Sequence, residues 1–165
     1  MMIALTGFMG SGKTTVGKVL ADFLGCPFMD LDDLVVKKAG KSIPDIFAQD
    51  GEPAFRQLEA QVLRKTVEKY AESTAVLALG GGAVLAPASA ALLHEKTVCI
   101  YLRATLDTLL ARLEGETAGR PLADDALASR LASREPVYEK TAHVIMDTDG
   151  LSPDEVADEI IISAL

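Results

Sequence analysis

Short apolar runs alternate along this chain with longer stretches in which apolar residues recur every three or four positions. The runs lie at residues 3–6, 75–79, 97–102 and 143–147, with a weaker one at 27–30. Their lengths predict buried β-strands. Helical spacing fills the intervals, at roughly 13–24, 31–39, 53–71, 105–113 and 124–134. Strands that alternate with helices predict a parallel sheet covered by helices on both faces.

The last predicted helix has a well-defined beginning. Ser152 is a candidate N-cap, and Pro153 follows at the first helical position, where its missing N–H costs nothing. Glu155 completes a capping box with Ser152. These signals predict a helix that starts at residue 153, and its apolar positions Val156, Ile160 and Ile161 repeat at helical spacing.

Length and charge restrict the classes of function. The chain has 165 residues, which fits one domain (residues 1–165) around one core. Its net charge of −8 and the lack of a basic run argue against a nucleic-acid-binding surface. An acidic protein that binds phosphates must concentrate positive charge locally, which directs attention to the arginines at positions 56, 120 and 134.

The cysteines and the apolar runs bear on the compartment. Cys26 and Cys99 lie in apolar surroundings without metal-ligand spacing, which is typical of reduced core residues in a cytosolic protein. The first residues lack a secretion signal, and no apolar run approaches the length of a membrane span. We therefore expect a cytoplasmic protein without a membrane partner. His94 and His143 have no ligand-like neighbours and are expected to be ordinary surface or strand-start residues.

A glycine-rich motif follows the first predicted strand. The segment G-F-M-G-S-G-K-T, which begins at Gly7, matches the phosphate-binding pattern G-x-x-x-x-G-K-S/T and leads into a predicted helix. Gly7, Gly10 and Gly12 allow successive N–H groups to point at a phosphate. Lys13 can reach the β- and γ-phosphates, and the Thr14 hydroxyl can ligate Mg²⁺. The alternative is a glycine turn before a helix, but the complete motif in this context predicts nucleotide binding.

Acidic residues follow the second predicted strand, in the segment Asp30-Leu-Asp32-Asp33. Ligands of open parallel sheets bind beyond the carboxyl ends of the strands. One carboxylate could support a hydrated metal ion, and the other could orient or deprotonate an alcohol. A solvated helix start fits the same spacing, because aspartate favours that position.

Arg56 lies early in a predicted helix, where a cation is mildly unfavourable. It is therefore a candidate for anion binding, with Glu59 one turn further on to steady it. A surface ion pair is the alternative.

Three consecutive glycines, Gly80 to Gly82, end the central strand and permit close approach of a ligand to the backbone. A simple turn would account for fewer glycines.

Two further arginines each stand before a helix-breaking residue. Arg134 is expected to end the helix at 124–134, because Pro136 follows it. Arg120 falls in the stretch 114–125, which has little apolar periodicity and predicts a mobile loop. An arginine in such a loop of a phosphoryl-transfer enzyme can serve as a lid residue. Arg120 could instead be a solvated side chain, and Arg134 could be one of the basic residues that are common at helix ends because they complement the dipole.

Taken together and in this order, these motifs resemble those of the shikimate kinase family over essentially the whole chain. The matching segments are G-F-M-G-S-G-K-T-T-V-G, F-M-D-L-D-D, S-I-P-D-I-F-A-Q-D-G-E-P-A-F-R-Q-L-E, G-G-G, R-P-L and R-E-P-V-Y. The resemblance implies a three-layer α/β/α sandwich, a P-loop fold whose five-stranded parallel sheet has the order 2-3-1-4-5. It places the shikimate-binding region at about residues 31–60 and a lid at about 113–123.

The resemblance also implies roles for the matching residues. The catalytic residues would be Lys13, Asp32 and Arg120. Shikimate would contact Asp32, Arg56, Gly80, Gly81, Gly82 and Arg134. ATP would contact Gly10, Ser11, Gly12, Lys13, Thr14, Thr15, Arg112 and Arg120, with adenine also near Asp149 and Ser152. The Mg²⁺ ligands would be Thr14 and Asp30.

The resemblance implies an ATP-dependent, cytoplasmic and monomeric shikimate kinase. One alternative is a related small-molecule kinase, such as one acting on gluconate, which the arginines at 56 and 134 and the aspartate pair disfavour. Another is a nucleotide-binding regulatory module without catalysis. Such a module would not need Lys13, Thr14, Asp32 and Arg120 together.

Overall fold

The computed structural model describes residues 1–116 and 124–165, and its centre is one parallel sheet. In chain order the strands are β1 (Met2–Thr6), β2 (Phe28–Asp30), β3 (Ala75–Ala78), β4 (Thr97–Arg103) and β5 (Val144–Asp147). Their order across the sheet is β2-β3-β1-β4-β5, which confirms the predicted order. Since β1 lies at the centre, the loop that follows it opens at the middle of one sheet edge.

Eight α-helices lie within the described residues. They are α1 (Lys13–Leu24), α2 (Leu31–Ala39), α3 (Ile43–Asp50), α4 (Glu52–Lys69), α5 (Pro87–Lys96), α6 (Leu106–Glu116), α7 (Asp124–Thr141) and α8 (Pro153–Ala164). A short 3-10 turn, Ala83–Leu85, precedes α5. The predicted start of α8 is confirmed, since the Ser152 hydroxyl accepts a hydrogen bond from Glu155 N at 3.2 Å.

The strands bury both faces, as the alternation of their side chains shows. Ile3 and Leu5 point into a cluster shared with α1 and α8. Met2 and Ala4 point into the larger cluster on the opposite face, which the remaining helices cover. Successive strand residues face opposite sides, so a run that is apolar at every position requires helices on both sides. The three-layer sandwich follows from this pattern.

The structure corrects the end of the predicted helix at 124–134. Helix α7 continues through Pro136 to Thr141, so Arg134 lies within a helix instead of ending one. A proline in a helix interior removes one backbone hydrogen bond. The helix persists because it is anchored on both sides of that position, by the buried side chains of Leu131 and Tyr138. Helices α3 and α5 were not predicted from the hydrophobic pattern.

The predicted loop at 114–125 is also shortened at both ends. Residues 114–116 belong to α6, and residues 124 and 125 begin α7. The rest of the predicted lid, including Arg120, lies outside the described residues, so the lid at about 113–123 stays a prediction.

The histidines and Cys99 lie where they were expected, and Cys26 does not. His94 and His143 are exposed, as expected, but their rings stack on each other with centroids 4.3 Å apart. Cys99 is buried in the core, whereas Cys26 is only half-buried. Neither forms a disulfide. In the described part of the chain, no helix is long and apolar enough to cross a membrane.

Candidate active site

The predicted site residues that the structure describes gather where β1, β2 and β3 end. The phosphate-binding loop follows β1, Asp30 is the last residue of β2, and the glycines at 80–82 follow β3. The ends of adjacent parallel strands meet at one sheet edge, and ligands of such sheets bind there. Residues far apart in sequence are therefore brought together by strand order alone.

The phosphate-binding loop has the backbone that its glycines predict. Gly10 and Gly12 have φ angles of 81° and 93°, a region that side-chain-bearing residues rarely adopt. Gly12 immediately precedes α1, so the free N–H groups and the positive dipole end of this helix open onto the loop. Ser11 is buried within the loop, and Thr15 lies exposed in the first turn of α1. This geometry is a preformed anion site.

Lys13 turns its ammonium group toward its own loop. Its Nζ donates to Gly7 O at 2.8 Å and to Phe8 O at 3.0 Å. Burial lowers the pKa of Lys13 to about 8, and the nearby Asp32 and Asp30 carboxylates oppose that shift. The ammonium is thus held at the loop by carbonyl oxygens, which a phosphate can replace as its partners.

Asp30 connects the phosphate-binding loop to helix α2. One of its oxygens caps the helix by accepting from Asp32 N at 2.9 Å, and the other accepts from the Thr14 hydroxyl at 3.1 Å. Within the described residues, no three histidine, cysteine or acidic side chains form a metal site alone. Mg²⁺ ordinarily takes one or two protein oxygens plus water and phosphate. The neighbouring oxygens of Thr14 and Asp30 fit that requirement.

Asp32 lies beside the phosphate-binding loop, against the backbone of Gly80. A Cβ at Gly80 would lie 2.9 Å from Asp32 Oδ1 and 3.1 Å from Glu59 Oε2. Any larger residue at this position would therefore displace one or both carboxylates. Burial raises the pKa of Asp32, the Asp30 charge adds to the effect, and Lys13 opposes it. A raised carboxylate pKa brings this group closer to the basicity that proton acceptance requires at neutral pH.

Arg56 is held in position by a buried carboxylate. Its Nη1 donates to Glu59 Oε1 at 2.9 Å, and its guanidinium lies 5.2 Å from the Phe55 ring centroid. Glu59 is only 4% exposed, so this is not the surface ion pair that the sequence left as an alternative. Burial raises the pKa of Glu59, and its hydrogen bond with Arg56 opposes that shift. Its Nε also lies 3.7 Å from Glu52 Oε1, so acidic side chains on the same helix orient the guanidinium.

Arg134 approaches the same glycines from helix α7. A Cβ at Gly81 would lie 3.3 Å from Arg134 Nη1 and 3.7 Å from the Tyr138 hydroxyl oxygen. That hydroxyl donates to Gly81 O at 2.5 Å, and Arg134 lies 5.9 Å from the Phe8 ring centroid. Tyr138 thus ties α7 to the glycine segment and fixes where Arg134 stands.

These groups surround a cavity of about 290 Å³. It is lined by Met9, Asp32, Ile43, Phe47, Phe55, Arg56, Glu59, Gly80, Gly81, Gly82, Arg130 and Arg134. The apolar side chains come largely from α3 and α4, within the predicted region at about 31–60. Arg130 was not predicted from the sequence, although its spacing of four residues from Arg134 on one helix is a signal that could have identified it.

Arg112 links the phosphate-binding loop to the segment that precedes α8. Its Nη1 donates to Gly10 O and to Thr148 Oγ1, both at 3.2 Å. In the same segment, Asp149 accepts from the Thr105 hydroxyl at 2.9 Å, and Ser152 caps α8. The three residues predicted to lie near adenine, Arg112, Asp149 and Ser152, therefore all lie in or against the segment that precedes α8.

A larger groove lies away from this site. It has a volume of about 640 Å³ and runs between α5 and α7, lined by Val84, Leu85, Pro87, Ala90, Ala91, His94, Glu95, Pro136, Val137, Lys140 and Thr141. It contains none of the predicted site residues. Cavity size alone would therefore favour this groove, whereas convergent charged groups favour the smaller cavity as the candidate active site.

A phosphate-binding loop beside a small arginine-lined cavity, with a carboxylate between the two, defines an ATP-dependent kinase that acts on a small molecule. The protein-family model described as shikimate kinase matches residues 9–164. A shikimate kinase of Salinibacter ruber is 44% identical over 162 residues, covering 90% of this chain and 78% of that protein. One from Enterococcus faecalis is 42% identical, covering 96% and 95%. The chain belongs to the shikimate kinase family.

Solved structures agree with this assignment. A shikimate kinase from Acinetobacter baumannii, in complex with shikimate, has a TM-score of 0.87 and 34% identity, covering 97% of this chain and 90% of that one. A gluconokinase from Sinorhizobium meliloti has a TM-score of 0.67 at 23% identity, covering 98% and 89%, which shows a shared fold alone. The comparisons therefore favour shikimate kinases over the gluconate alternative.

Proposed function

We propose that this enzyme transfers the γ-phosphoryl group of ATP to the 3-hydroxyl of shikimate, giving shikimate 3-phosphate and ADP, on the route to chorismate and the aromatic amino acids. The observation that carries the proposal is the convergence of Arg56 and Arg134 on the glycines beside Asp32. This cavity offers two guanidinium groups to a carboxylate and one carboxylate to a hydroxyl. Shikimate carries both groups on one rigid ring.

Arg56 and Arg134 would bind the substrate carboxylate. Guanidinium groups match a planar carboxylate through paired hydrogen bonds, which lysine cannot reproduce. Glu59 orients one of them, and Tyr138 fixes the glycine segment against which the other stands. An analogue that lacks the carboxylate would leave these cations unpaired and should be rejected strongly.

Asp32 would accept a hydrogen bond from the reacting hydroxyl and take its proton as the oxygen attacks the γ-phosphorus. The bond from that phosphorus to the bridging oxygen breaks, and ADP leaves. Proton acceptance by a positioned carboxylate is worth roughly 10²–10⁴-fold in rate. Gly80 to Gly82 would supply backbone contacts to the substrate ring.

The donor side would use the phosphate-binding loop. Gly10, Ser11, Gly12, Thr14 and Thr15 would contact the phosphates, and Lys13 would stabilise charge on the transferring group. Thr14 and Asp30 would hold Mg²⁺, which neutralises charge on the phosphate oxygens when it is bound with ATP. Arg112 would contact adenine, with Asp149 and Ser152 nearby.

Arg120 would fold over the transferring phosphoryl group as part of the lid. An arginine brought onto such a transition state can contribute on the order of 10³–10⁵-fold. Replacing Arg120 by alanine should therefore lower kcat, whereas Arg56→Ala should chiefly raise the KM for shikimate. The reverse pattern in steady-state kinetics would refute both assignments.

ADP release tests the function directly. Purified protein is assayed with MgATP alone, with shikimate and with gluconate. Turnover with shikimate only is the expected result. Turnover with gluconate instead would require another acceptor, and ATP binding without turnover would favour the regulatory module.

We also propose that the enzyme acts as a cytoplasmic monomer, as its resemblance to the shikimate kinase family implies. Size-exclusion chromatography with light scattering tests the oligomeric state. A dimer mass across the assay concentration range would contradict it.

A further inference from the structure

A third arginine, Arg130, lines the substrate cavity and has no part in the function proposed above. It lies on helix α7 four residues before Arg134, so both side chains are on the same helix face. Arg130 is exposed, whereas Tyr138, further along the helix, is fully buried. Arg130 is thus at the outer end of the row of residues that leads into the cavity.

The charge of Arg130 is not neutralised within the described part of the chain. No carboxylate there lies within 4.0 Å of its guanidinium, in contrast to Arg56, which is paired with Glu59 at 2.9 Å. Among the described residues, the one hydrogen bond found at Arg130 goes from the Ser133 hydroxyl to its backbone oxygen, and none is found at its guanidinium. With no partner in that part of the chain, the guanidinium can meet an arriving anion.

Three arginines line this cavity against two carboxylates, Asp32 and Glu59. Glu59 and Glu52 both lie beside Arg56, and Asp32 lies near Lys13. Among the described residues, no ion pair is found at Arg130 or Arg134. The protein as a whole carries a net charge of −8, which repels anions elsewhere on its surface. A local positive potential in such a molecule draws anionic ligands to one place and accelerates their association.

We propose that Arg130 is a positioning residue that captures the carboxylate of the acceptor substrate at the cavity mouth and passes it inward to Arg134 and Arg56. This inference rests on the proposed function, since it takes a shikimate-like carboxylate as the ligand. Arg130 acts before the chemical step and lies at the entrance. Its contribution belongs to substrate capture and not to the rate of phosphoryl transfer.

The test compares Arg130→Gln, Arg130→Lys and a control, Arg64→Gln, with the parent enzyme. Arg64 is also exposed on a helix, lines a different groove and has no ion pair in the described chain, so its substitution removes one charge at a distance. For each protein, kcat and KM for shikimate and for ATP are measured from low salt to roughly 0.3 M NaCl, where screening is short-ranged. Melting temperatures verify that all variants are folded.

We expect Arg130→Gln to raise the KM for shikimate about fivefold at low salt, with kcat and the KM for ATP unchanged. An effect of this size corresponds to the loss of one exposed charge–charge interaction. The parent should lose kcat/KM for shikimate as salt is added, and the variant should lose less because the steering charge is gone. Arg130→Lys should retain most of the parental KM, because it keeps the charge. A merely structural role would not alter the salt dependence.

Three results would overturn the inference. Arg130→Gln could match the parent in both KM and salt dependence, it could lower kcat with KM unchanged, or Arg64→Gln could produce the same loss. A parent without shikimate turnover would instead overturn the proposed function and this inference together. An active parent with an unaffected Arg130→Gln variant overturns the inference alone.

Discussion

Each glycine of the segment Gly80 to Gly82 makes room for a different charged side chain. Gly80 admits Asp32 and Glu59, Gly81 admits Arg134, and Gly82 admits Arg56. The requirement is for space and not for an unusual backbone, since Gly82 has φ −106° and ψ 3°. Three adjacent glycines are explained by three separate close approaches, which a simple turn would not need.

Gly82→Ala should therefore act on the substrate side alone. An alanine Cβ would lie 2.5 Å from Arg56 Nη1, so the guanidinium must move away from its place. We expect the KM for shikimate to rise by about tenfold or more, as for a displaced charge-assisted contact, while the dissociation constant of ATP stays unchanged. Steady-state kinetics and ATP titration measure the two quantities. Weakened ATP binding would argue against the separation of the two halves of the site.

A second prediction concerns the hydrogen bond from the Tyr138 hydroxyl to Gly81 O. Tyr138→Phe keeps the ring that packs on Tyr101 but leaves Gly81 O without its partner. We expect a loss of about 1–2 kcal/mol in the free energy of unfolding, measured by urea denaturation, and a modest rise in the KM for shikimate. Tyr70→Phe is the matched control, because no hydrogen bond from the Tyr70 hydroxyl is found among the described residues. An equal loss in both variants would refute the role of this bond.

At the scale of the element, helix α3 contributes one wall of the cavity through Ile43 and Phe47. Its N-terminus is capped by the Ser42 hydroxyl, which accepts from Asp45 N at 3.2 Å. The same kind of cap, Ser152, begins α8 on the other face of the sheet. The two helices thus offer equivalent caps, one beside the substrate and one far from it.

Replacing either cap by alanine should cost about 1 kcal/mol in the free energy of unfolding. Only Ser42→Ala should also raise the KM for shikimate, because a frayed α3 loosens the wall that carries Phe47. Denaturant unfolding and substrate titration of Ser42→Ala and Ser152→Ala give the comparison. If Ser152→Ala changed the KM equally, the effect would be one of general stability.

Elements with strong local signals could be predicted from the sequence, and those that depend on tertiary packing could not. The phosphate-binding loop and α8 have fixed motifs and caps, so their positions were correct. Helix α5 is rich in alanine and weakly amphipathic, so it has no distinct apolar stripe. Helix α3 is an exception, because it has a serine cap like that of α8 and was missed only because its eight residues give a short pattern. Helix α7 passes Pro136 because of contacts on both sides of it, which lie far away in sequence. Arg130 had a sequence signal in its spacing from Arg134, but its place on the cavity also depends on where that helix packs.

At the scale of the whole molecule, the reactivity of the Cys99 thiol shows whether the sheet is folded. It lies fully buried on β4, and burial raises the pKa of its thiol to about 12. Cys26 is half-buried outside the strands, and burial raises the pKa of its thiol as well. Because thiolates are the reactive species, a buried thiol with a raised pKa reacts only when the surrounding structure opens.

We expect a thiol reagent at pH 8 to modify Cys26 first and Cys99 only through unfolding. Ligand at about one hundred times its dissociation constant should slow modification of Cys99 by about a hundredfold, because it stabilises the folded state by about 2.7 kcal/mol. Mass spectrometry of each cysteine-containing peptide measures both rates. Ready modification of Cys99 in the native protein would show that the sheet opens locally.

The two outermost strands of the sheet are its shortest or nearly so. On one side β2 has three residues, and on the other β5 has four, whereas β4 in the interior has seven. An outer strand presents unpaired backbone groups to which a strand of another molecule can add, and short outer strands limit such addition. The folded enzyme therefore offers a poor template for fibrillar growth. Aggregation on heating or storage should pass through unfolded chains, and its rate should follow the unfolded fraction.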